Sequence, residues 1–136
     1  MSEIFSDIQI EAIIRDNKRL VEQRGQPFCV IRDKLEDIFS NVNSHNNIQN
    51  KKERIIRKAA HILGGITYQQ PFCEGNRETA LAYTILFLRD NGFDLPLDKQ
   101  EDRQEVYDLL HKTVFKDELD PTIITEIEQY LTKRAT

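Results

Sequence analysis

Cysteine is scarce in this sequence, and its two copies are not spaced as a pair. Cys29 and Cys73 are the only cysteines in 136 residues, and they lie far apart without a CxxC arrangement. Disulfide-stapled domains and structural zinc sites need more cysteines or closer spacing. We therefore expect neither a disulfide framework nor a zinc site, and we expect a reducing, cytoplasmic compartment.

Long apolar runs and an excess of one charge are missing as well. No stretch reaches the ~20 apolar residues of a membrane-spanning helix, and residues 1–16 lack the apolar core of a signal peptide. The 19 basic and 23 acidic residues leave a net charge of -4. This balance gives no overall attraction to nucleic acid or to an anionic membrane, so neither is expected as a partner.

Helical periodicity runs along nearly the whole chain. Ser6 and Gln9 form a predicted capping box, and Leu119 with Ile124 forms a predicted hydrophobic staple. Residues 40–50 lack periodicity and are predicted to form a loop. Apolar positions at helical spacing predict six helices, which start near Ser6, Asp33, Lys51, Asn76, Gln100 and Asp120. Asp33 and Asp120 are predicted N-caps, with Pro121 at the first helical position after Asp120. The sequence therefore predicts an all-α fold in one domain over residues 1–136.

The predicted helix that starts at Asn76 carries few charges between Thr79 and Leu88. Its apolar residues occupy more than one face, so we expect Ile85 and Leu86 to point inward. This helix is the expected centre of the bundle and its most buried element. The preceding helix contains the pair Gly64–Gly65, which is expected to weaken it near its end.

The turn before Asn76 is the segment whose residues are suited to binding a ligand. A glycine-containing turn that runs into a helix leaves backbone N–H groups unpaired at the positive end of the helix dipole, which favours phosphate. Gly75 would let a ligand approach the backbone, Glu74 could hold Mg²⁺, and Arg77 could add a charged contact. An ordinary turn with solvent-exposed charged residues would have the same sequence. The short motif therefore leaves both interpretations open, a phosphate-binding turn and an ordinary turn.

The wider segment resembles the Fic/Doc family, and most closely the Doc-type death-on-curing proteins. The family motif is His-x-Phe-x-Asp/Glu-Gly/Ala-Asn-x-Arg, placed between two helices. Four residues of this chain stand at matching places: Phe72, Glu74, Gly75 and Asn76. Residues 58–63 resemble the helix that precedes the motif, and residues 79–93 resemble the Doc version of the helix that follows. The resemblance spans roughly residues 8–133.

The resemblance implies a helical bundle and an activity. Family members transfer AMP, or in Doc-type members phosphate, from ATP or another nucleoside triphosphate with Mg²⁺ to a protein hydroxyl. Descent from the toxin of a toxin–antitoxin pair is implied, with a target protein and an antitoxin as partners. Within the motif, the resemblance assigns Glu74 to the metal, Gly75, Asn76 and Arg77 to phosphate, and Phe72 to anchoring the loop.

Two positions depart from the family motif. Gln70 stands where the family has its general base, a His, and a glutamine cannot take a proton near neutral pH. Glu78 stands where the family has an Arg that contacts the outer phosphates, which a carboxylate would repel. Arg77 does not replace that Arg, because adjacent helical residues point about 100° apart. Two hypotheses remain: an impaired nucleotidyl- or phosphotransferase, and a non-catalytic module that binds a nucleotide, an anion or a protein.

Other reactive residues have simpler interpretations. His61 precedes the altered base position by nine residues and could replace the base, although a partly buried or capping role is commoner. His45 and His111 give no spacing for a three-His metal site. The basic segment 51–58 could contact an acidic partner or a nucleic acid, but a solvated helix face is the favoured interpretation. Cys73 could have a lowered thiol pKa near a helix N-terminus, but without a paired His it is interpreted as incidental.

Overall fold

The computed structural model describes residues 3–114 and 121–136, with side chains described for 3–111 and 121–136. Six helices follow one another: α1 (Asp7–Gln23), α2 (Arg32–Asn43), α3 (Lys51–Gln69), α4 (Asn76–Asp90), α5 (Gln100–Val114) and α6 (Pro121–Arg134). The predicted all-α fold is confirmed. In this part of the chain no helix is long and apolar enough to cross a membrane.

Local side-chain chemistry sets the starts of three helices, α1, α3 and α6. The backbone N–H of Ser6 donates to Gln9 Oε1 at 2.8 Å, so the predicted capping box is present at α1. Asn50 caps α3 by accepting the backbone N–H of Glu53 at 2.9 Å. α6 begins at Pro121 as predicted. The predicted cap Asp120 and staple residue Leu119 lie outside the described residues.

The bounds of α2 differ from the prediction at both ends. Its N-cap is Ile31, which gives no side-chain cap, so the prediction of Asp33 as N-cap was wrong. The backbone N–H of Ile31 instead bonds to Pro71 O at 2.7 Å, and this contact fixes where the chain enters the helix. At its other end α2 runs into the predicted loop, because Asn43 makes hydrogen bonds of 2.9 Å with both the N–H and the carbonyl of Phe5.

The central helix is α3, and the prediction that α4 would be the most buried was wrong. Twelve of the 19 residues of α3 are buried, and it packs against α2, α4, α5 and α6. α4 packs mainly on α3 and α1, so its outer face meets solvent. Leu86 is therefore 45% exposed and Ile85 is only half-buried.

Small residues allow α3 to occupy the centre. A Cβ atom on Gly65 would lie 2.8 Å from Ile38 Cγ2 of α2, which is closer than such contacts can be. Glycine at this position therefore permits the close approach of the two helices. Gly64 and Gly65 do not end the helix, which continues to Gln69, because burial on several sides offsets their lower helix propensity of about 1 kcal/mol each.

The basic segment 51–58 is only partly a solvated face. Lys58 is fully buried, and its Nζ donates to Glu3 O at 3.0 Å and to Asn46 Oδ1. Arg54 forms an ion pair with Glu3 at 2.6 Å. The interpretation of a solvated face was wrong for these inner residues, which hold the N-terminal segment against α3.

Candidate functional site

An open cavity, the loop cavity, lies where α3 ends and α4 begins. Its volume is about 370 Å³. Residues 73–78 line it from the turn and the first turn of α4, Thr67 and Gln70 line it from the end of α3, and His111 lines it from α5. The structure thus gathers Gln70 and the five consecutive predicted positions from Glu74 to Glu78 around one space.

The turn is held by the segment between α1 and α2. Val30 and Phe72 form an isolated antiparallel bridge. On one side of this bridge Ile31 N–H donates to Pro71 O, and on the other Cys73 N–H donates to Cys29 O at 3.3 Å. Phe72, predicted as the loop anchor, is buried in the core.

A disulfide joins Cys29 to Cys73 across the same pairing, with Cα atoms 5.2 Å apart. The expectation that the sequence forms no disulfide, and that Cys73 is incidental, was wrong. Two short extended segments bring the cysteines together, and neither segment carries a periodic signal that would reveal the pairing from sequence. The bond ties the wall of the loop cavity covalently to the segment before α2.

α1 supports the turn from the protein interior. Asn17 is 1% exposed, and its Nδ2 donates to Glu74 O at 2.9 Å and to Thr79 Oγ1 at 3.1 Å. Gly75 has a φ of +74°, and a Cβ atom there would lie 3.1 Å from Asn17 Nδ2 and 3.2 Å from two apolar side chains of α1. Both the backbone conformation and the available space therefore favour glycine.

The Asn76 side chain closes the turn on itself. Its Oδ1 accepts the backbone N–H of Phe72 at 3.0 Å, and its Nδ2 donates to Phe72 O at 2.9 Å. Among the described residues, none accepts a hydrogen bond from the backbone N–H groups of residues 74–77. All four of these residues line the loop cavity. Unpaired donors at a helix N-terminus form a favourable environment for an anion.

Thr67 adds an unpaired polar group to the cavity wall. Its side chain is fully buried, and its Oγ1 finds no hydrogen-bond partner in the described part of the chain. A buried hydroxyl without a partner lowers stability, and such groups usually bond to a ligand or to water. Sequence reasoning missed Thr67, because a threonine inside an apolar helix gives no signal of its own.

Glu78, the altered motif position, does not stand alone at the rim. Its Oε1 lies 3.5 Å from Nη1 of Arg24, which follows the end of α1. Both side chains are half-exposed, so the pair adds little stability. The arrangement nevertheless brings a second cation close to the cavity that Arg77 lines. Sequence reasoning missed Arg24, because its contact with Glu78 depends on how α1 packs.

Gln70 ends α3 in a left-handed conformation with a φ of 51° and lines the loop cavity. His61, considered from sequence as a replacement base, lies elsewhere. It stacks on His45 with ring centroids 4.5 Å apart, in a second cavity lined by residues of α2, α3 and α6. We call this second space the histidine cavity. Burial lowers the pKa of His61 to about 4.

The family comparison agrees with the geometry of the loop cavity. A model of the Fic/DOC family matches residues 2–88, which is more than half of the chain. The chain belongs to the Fic/DOC family. No curated protein and no solved structure matches it. The matched residues include the turn between α3 and α4 and the helix α1 that supports it, whereas α5, which carries His111, lies beyond them.

Membership in the Fic/DOC family suggests a nucleotide and a metal as ligands, and the cavity fits both. Unpaired N–H groups and the Thr67 hydroxyl match phosphate oxygens. Glu74 is exposed at the cavity, and the described residues give it no ion pair. Proteins commonly bind Mg²⁺ through one or two carboxylates together with phosphate, so a single glutamate suffices. The described residues contain no cluster of three metal-binding side chains.

Proposed function

We propose that this Fic protein binds a nucleoside triphosphate with Mg²⁺ in the loop cavity. The proposed activity is transfer of AMP or phosphate to a protein hydroxyl, much more slowly than a relative with an intact motif achieves. The observation that carries the proposal is the row of unpaired backbone N–H groups in residues 74–77, which line an open cavity. Such donors stabilise phosphate oxygens at a helix N-terminus.

Each residue of the turn has a role in this proposal. Backbone N–H groups of Gly75, Asn76 and Arg77 bind phosphate oxygens, and the Arg77 guanidinium adds a charged contact. The Asn76 side chain is engaged with Phe72, so it shapes the turn and leaves phosphate to the backbone. Glu74 is the residue that would hold Mg²⁺, and the metal would neutralise phosphate charge.

Slow transfer follows from the two altered positions. Gln70 can orient a hydroxyl group but cannot accept its proton, so the motif no longer supplies a general base at this position. Glu78 places a carboxylate near the expected outer phosphates, although Arg24 partly balances its charge. Proton removal and triphosphate placement are separate steps, so each substitution impairs the reaction in its own way.

The second candidate is a binding module without catalysis. It is favoured by the loss of two independent parts of the mechanism while the turn keeps its Asn17, Asn76 and disulfide contacts. In either case we propose a protein of toxin descent, with an antitoxin and a target protein as partners.

Thr67→Val is the sharpest test of binding. Valine keeps the shape of threonine and removes the unpaired hydroxyl, so the free energy of unfolding should stay equal or rise. The affinity for ATP with Mg²⁺, measured by calorimetry, should fall about tenfold because one hydrogen bond to a charged group is lost. The matched control is Thr84→Val, since Thr84 is equally buried but bonds to Ala80 O at 2.7 Å within α4.

No heat of ATP binding to the wild-type protein would refute the binding proposal, and equal affinities for wild type and Thr67→Val would refute the contact between the Thr67 hydroxyl and the nucleotide. Transfer is tested with labelled ATP, Mg²⁺ and cell lysate. The double substitution Gln70→His with Glu78→Arg should raise labelling more than the two single substitutions combined, because it repairs two separate steps. A folded double variant that binds ATP and stays inactive would favour the binding module.

A further inference from the structure

We propose that His111 takes the proton from the target hydroxyl in the transfer that this chain performs. The inference rests on the proposed function and assigns a residue to the step that Gln70 cannot carry out. Its basis is a juxtaposition: Gln70 at the end of α3 and His111 on α5 line the same cavity as the phosphate-binding turn.

His111 is the side chain with the right chemistry at this place. Among the described residues that line the loop cavity, it is the only histidine, the residue type that most often serves as a general base. Cys73 is bound in the disulfide, so it has no thiol to accept a proton. Glu74 is assigned to Mg²⁺. An imidazole also alternates between accepting and donating a proton more readily than a carboxylate or a guanidinium.

Packing holds His111 in position. Val106 and Leu110 are fully buried in the core, so the face of α5 that carries them is fixed against the bundle. His111 follows Leu110 directly, and adjacent helical residues point about 100° apart. Its exposed side chain therefore lies at the flank of the buried face, where α5 borders the loop cavity.

The other two histidines cannot serve this step. His45 and His61 stack on each other in the histidine cavity, which neither Gln70 nor any residue of the turn lines. Burial lowers the pKa of both rings. They provide matched controls, because they are histidines of the same chain that lie away from the phosphate-binding turn.

The proposed step balances in atoms and charge. The target hydroxyl oxygen attacks a phosphorus atom of the bound triphosphate and forms a new P–O bond. The bond from that phosphorus to the departing phosphate oxygen breaks, and the departing oxygen keeps the electron pair. The hydroxyl proton moves to the unprotonated ring nitrogen of His111. The products are the modified protein and either pyrophosphate or the nucleoside diphosphate, depending on which phosphorus is attacked.

The experiment measures transfer and binding side by side. Label transfer from ATP with Mg²⁺ is followed for the full chain and for three variants: His111→Gln, Gln70→Ala and His61→Gln. Calorimetry with the same nucleotide reports binding for each. We expect His111→Gln to lower labelling by 10²–10⁴-fold while it still binds nucleotide. Gln70→Ala should lower labelling much less, and His61→Gln should leave it unchanged.

Chemical rescue separates proton transfer from mere support of the fold. Added imidazole should restore labelling to a further variant, His111→Ala, which has lost the proton acceptor, and should not change the labelling by His61→Gln, which has lost none. Wild-type protein that binds nucleotide and transfers no label would overturn the role of His111 and leave the binding proposal intact. Absence of wild-type binding would overturn both. Equal losses in Gln70→Ala and His111→Gln, or a failure of imidazole to rescue, would also refute the assignment.

Discussion

The loop cavity and the histidine cavity lie on different parts of α3 and are built from different kinds of atoms. The histidine cavity is the larger, at about 590 Å³ against about 370 Å³. Its polar lining consists of side chains: Arg57 pairs with Glu128 at 2.8 Å, and His45 stacks on His61, with His45 Nε2 and His61 Nδ1 finding no hydrogen-bond partner among the described residues. The loop cavity instead exposes backbone N–H groups for which the described residues offer no acceptor.

This difference shows why volume alone does not identify the nucleotide site. A cation that already has an anionic partner gains little from a phosphate, and buried histidines with a lowered pKa carry no charge to attract one. Backbone donors at the start of α4 remain in place whatever side chains the motif carries. In the proposed binding mode, Gln70 and Glu78 change the chemistry of the loop cavity, while the backbone donors that would hold the anion remain.

The largest expected effect comes from removing the disulfide that shapes the loop cavity. The Cys29→Ser, Cys73→Ser double variant should lose on the order of 2–4 kcal/mol in free energy of unfolding, because the bond closes a 44-residue separation. Urea unfolding of wild type with and without reductant should show the same difference. Nucleotide affinity should fall as well, since the turn loses its covalent tie. Unchanged stability in reductant would show that the hydrogen bonds of the turn suffice.

The next largest effect is expected at Gly75. Gly75→Ala should destabilise the protein by about 2–3 kcal/mol, since it combines left-handed strain with crowding against Asn17. Gly25→Ala is the control, because Gly25 has a similar φ of +68° but no atom lies within 4 Å of the place where a Cβ would stand. The Gly25→Ala variant should lose only about 1 kcal/mol in free energy of unfolding. Equal losses in urea unfolding would mean that support from α1 contributes nothing.

Sequence reasoning succeeded where the signal is local. Helix starts at Asp7, Asn76 and Pro121 follow from caps, glycine and proline, which act within a few residues. The turn was recognised because its motif is contiguous. Neither result required knowledge of how the helices pack.

Sequence reasoning failed for features that depend on packing between segments distant in the chain. The Cys29–Cys73 bond depends on an antiparallel contact between two short segments without periodicity. The packing of α1 brings Arg24 to Glu78, and the packing of α5 brings His111 to the lining of the loop cavity. α3 became the central helix because its small residues permit close neighbours, whereas their low helix propensity had suggested a weak end.

A smaller effect is expected from the charge at the rim of the loop cavity. Glu78→Arg should tighten ATP binding about tenfold, because a repelling carboxylate becomes a phosphate-binding guanidinium. The control is Glu36→Arg, which makes the same charge change at an exposed ion pair with Arg32, away from the cavity. The gain should shrink as salt increases. Equal affinities for the two variants would show that position 78 does not contact the nucleotide.

The smallest expected effect tests the histidine cavity through its pH dependence. Burial, His45 and Arg57 together lower the pKa of His61 from 6.5 to about 4, with burial the largest cause. In the unfolded chain the ring binds a proton near pH 6.5, while the folded chain does not. The unfolded state is therefore favoured as the pH falls, so the contribution is complete above pH 6.5 and is lost towards pH 4.

Because the ring is only partly buried, we expect this loss to be on the order of 1–2 kcal/mol. Urea unfolding at several pH values, compared between wild type and His61→Gln, isolates it from the titration of carboxylates that both proteins share. The wild-type protein should lose more stability than the variant between pH 6.5 and pH 4. If the free energy of unfolding fell equally with pH in the two proteins, the His61 ring would accept a proton in the folded state without loss of stability. In that case the histidine cavity could become cationic, and the contrast with the loop cavity would weaken.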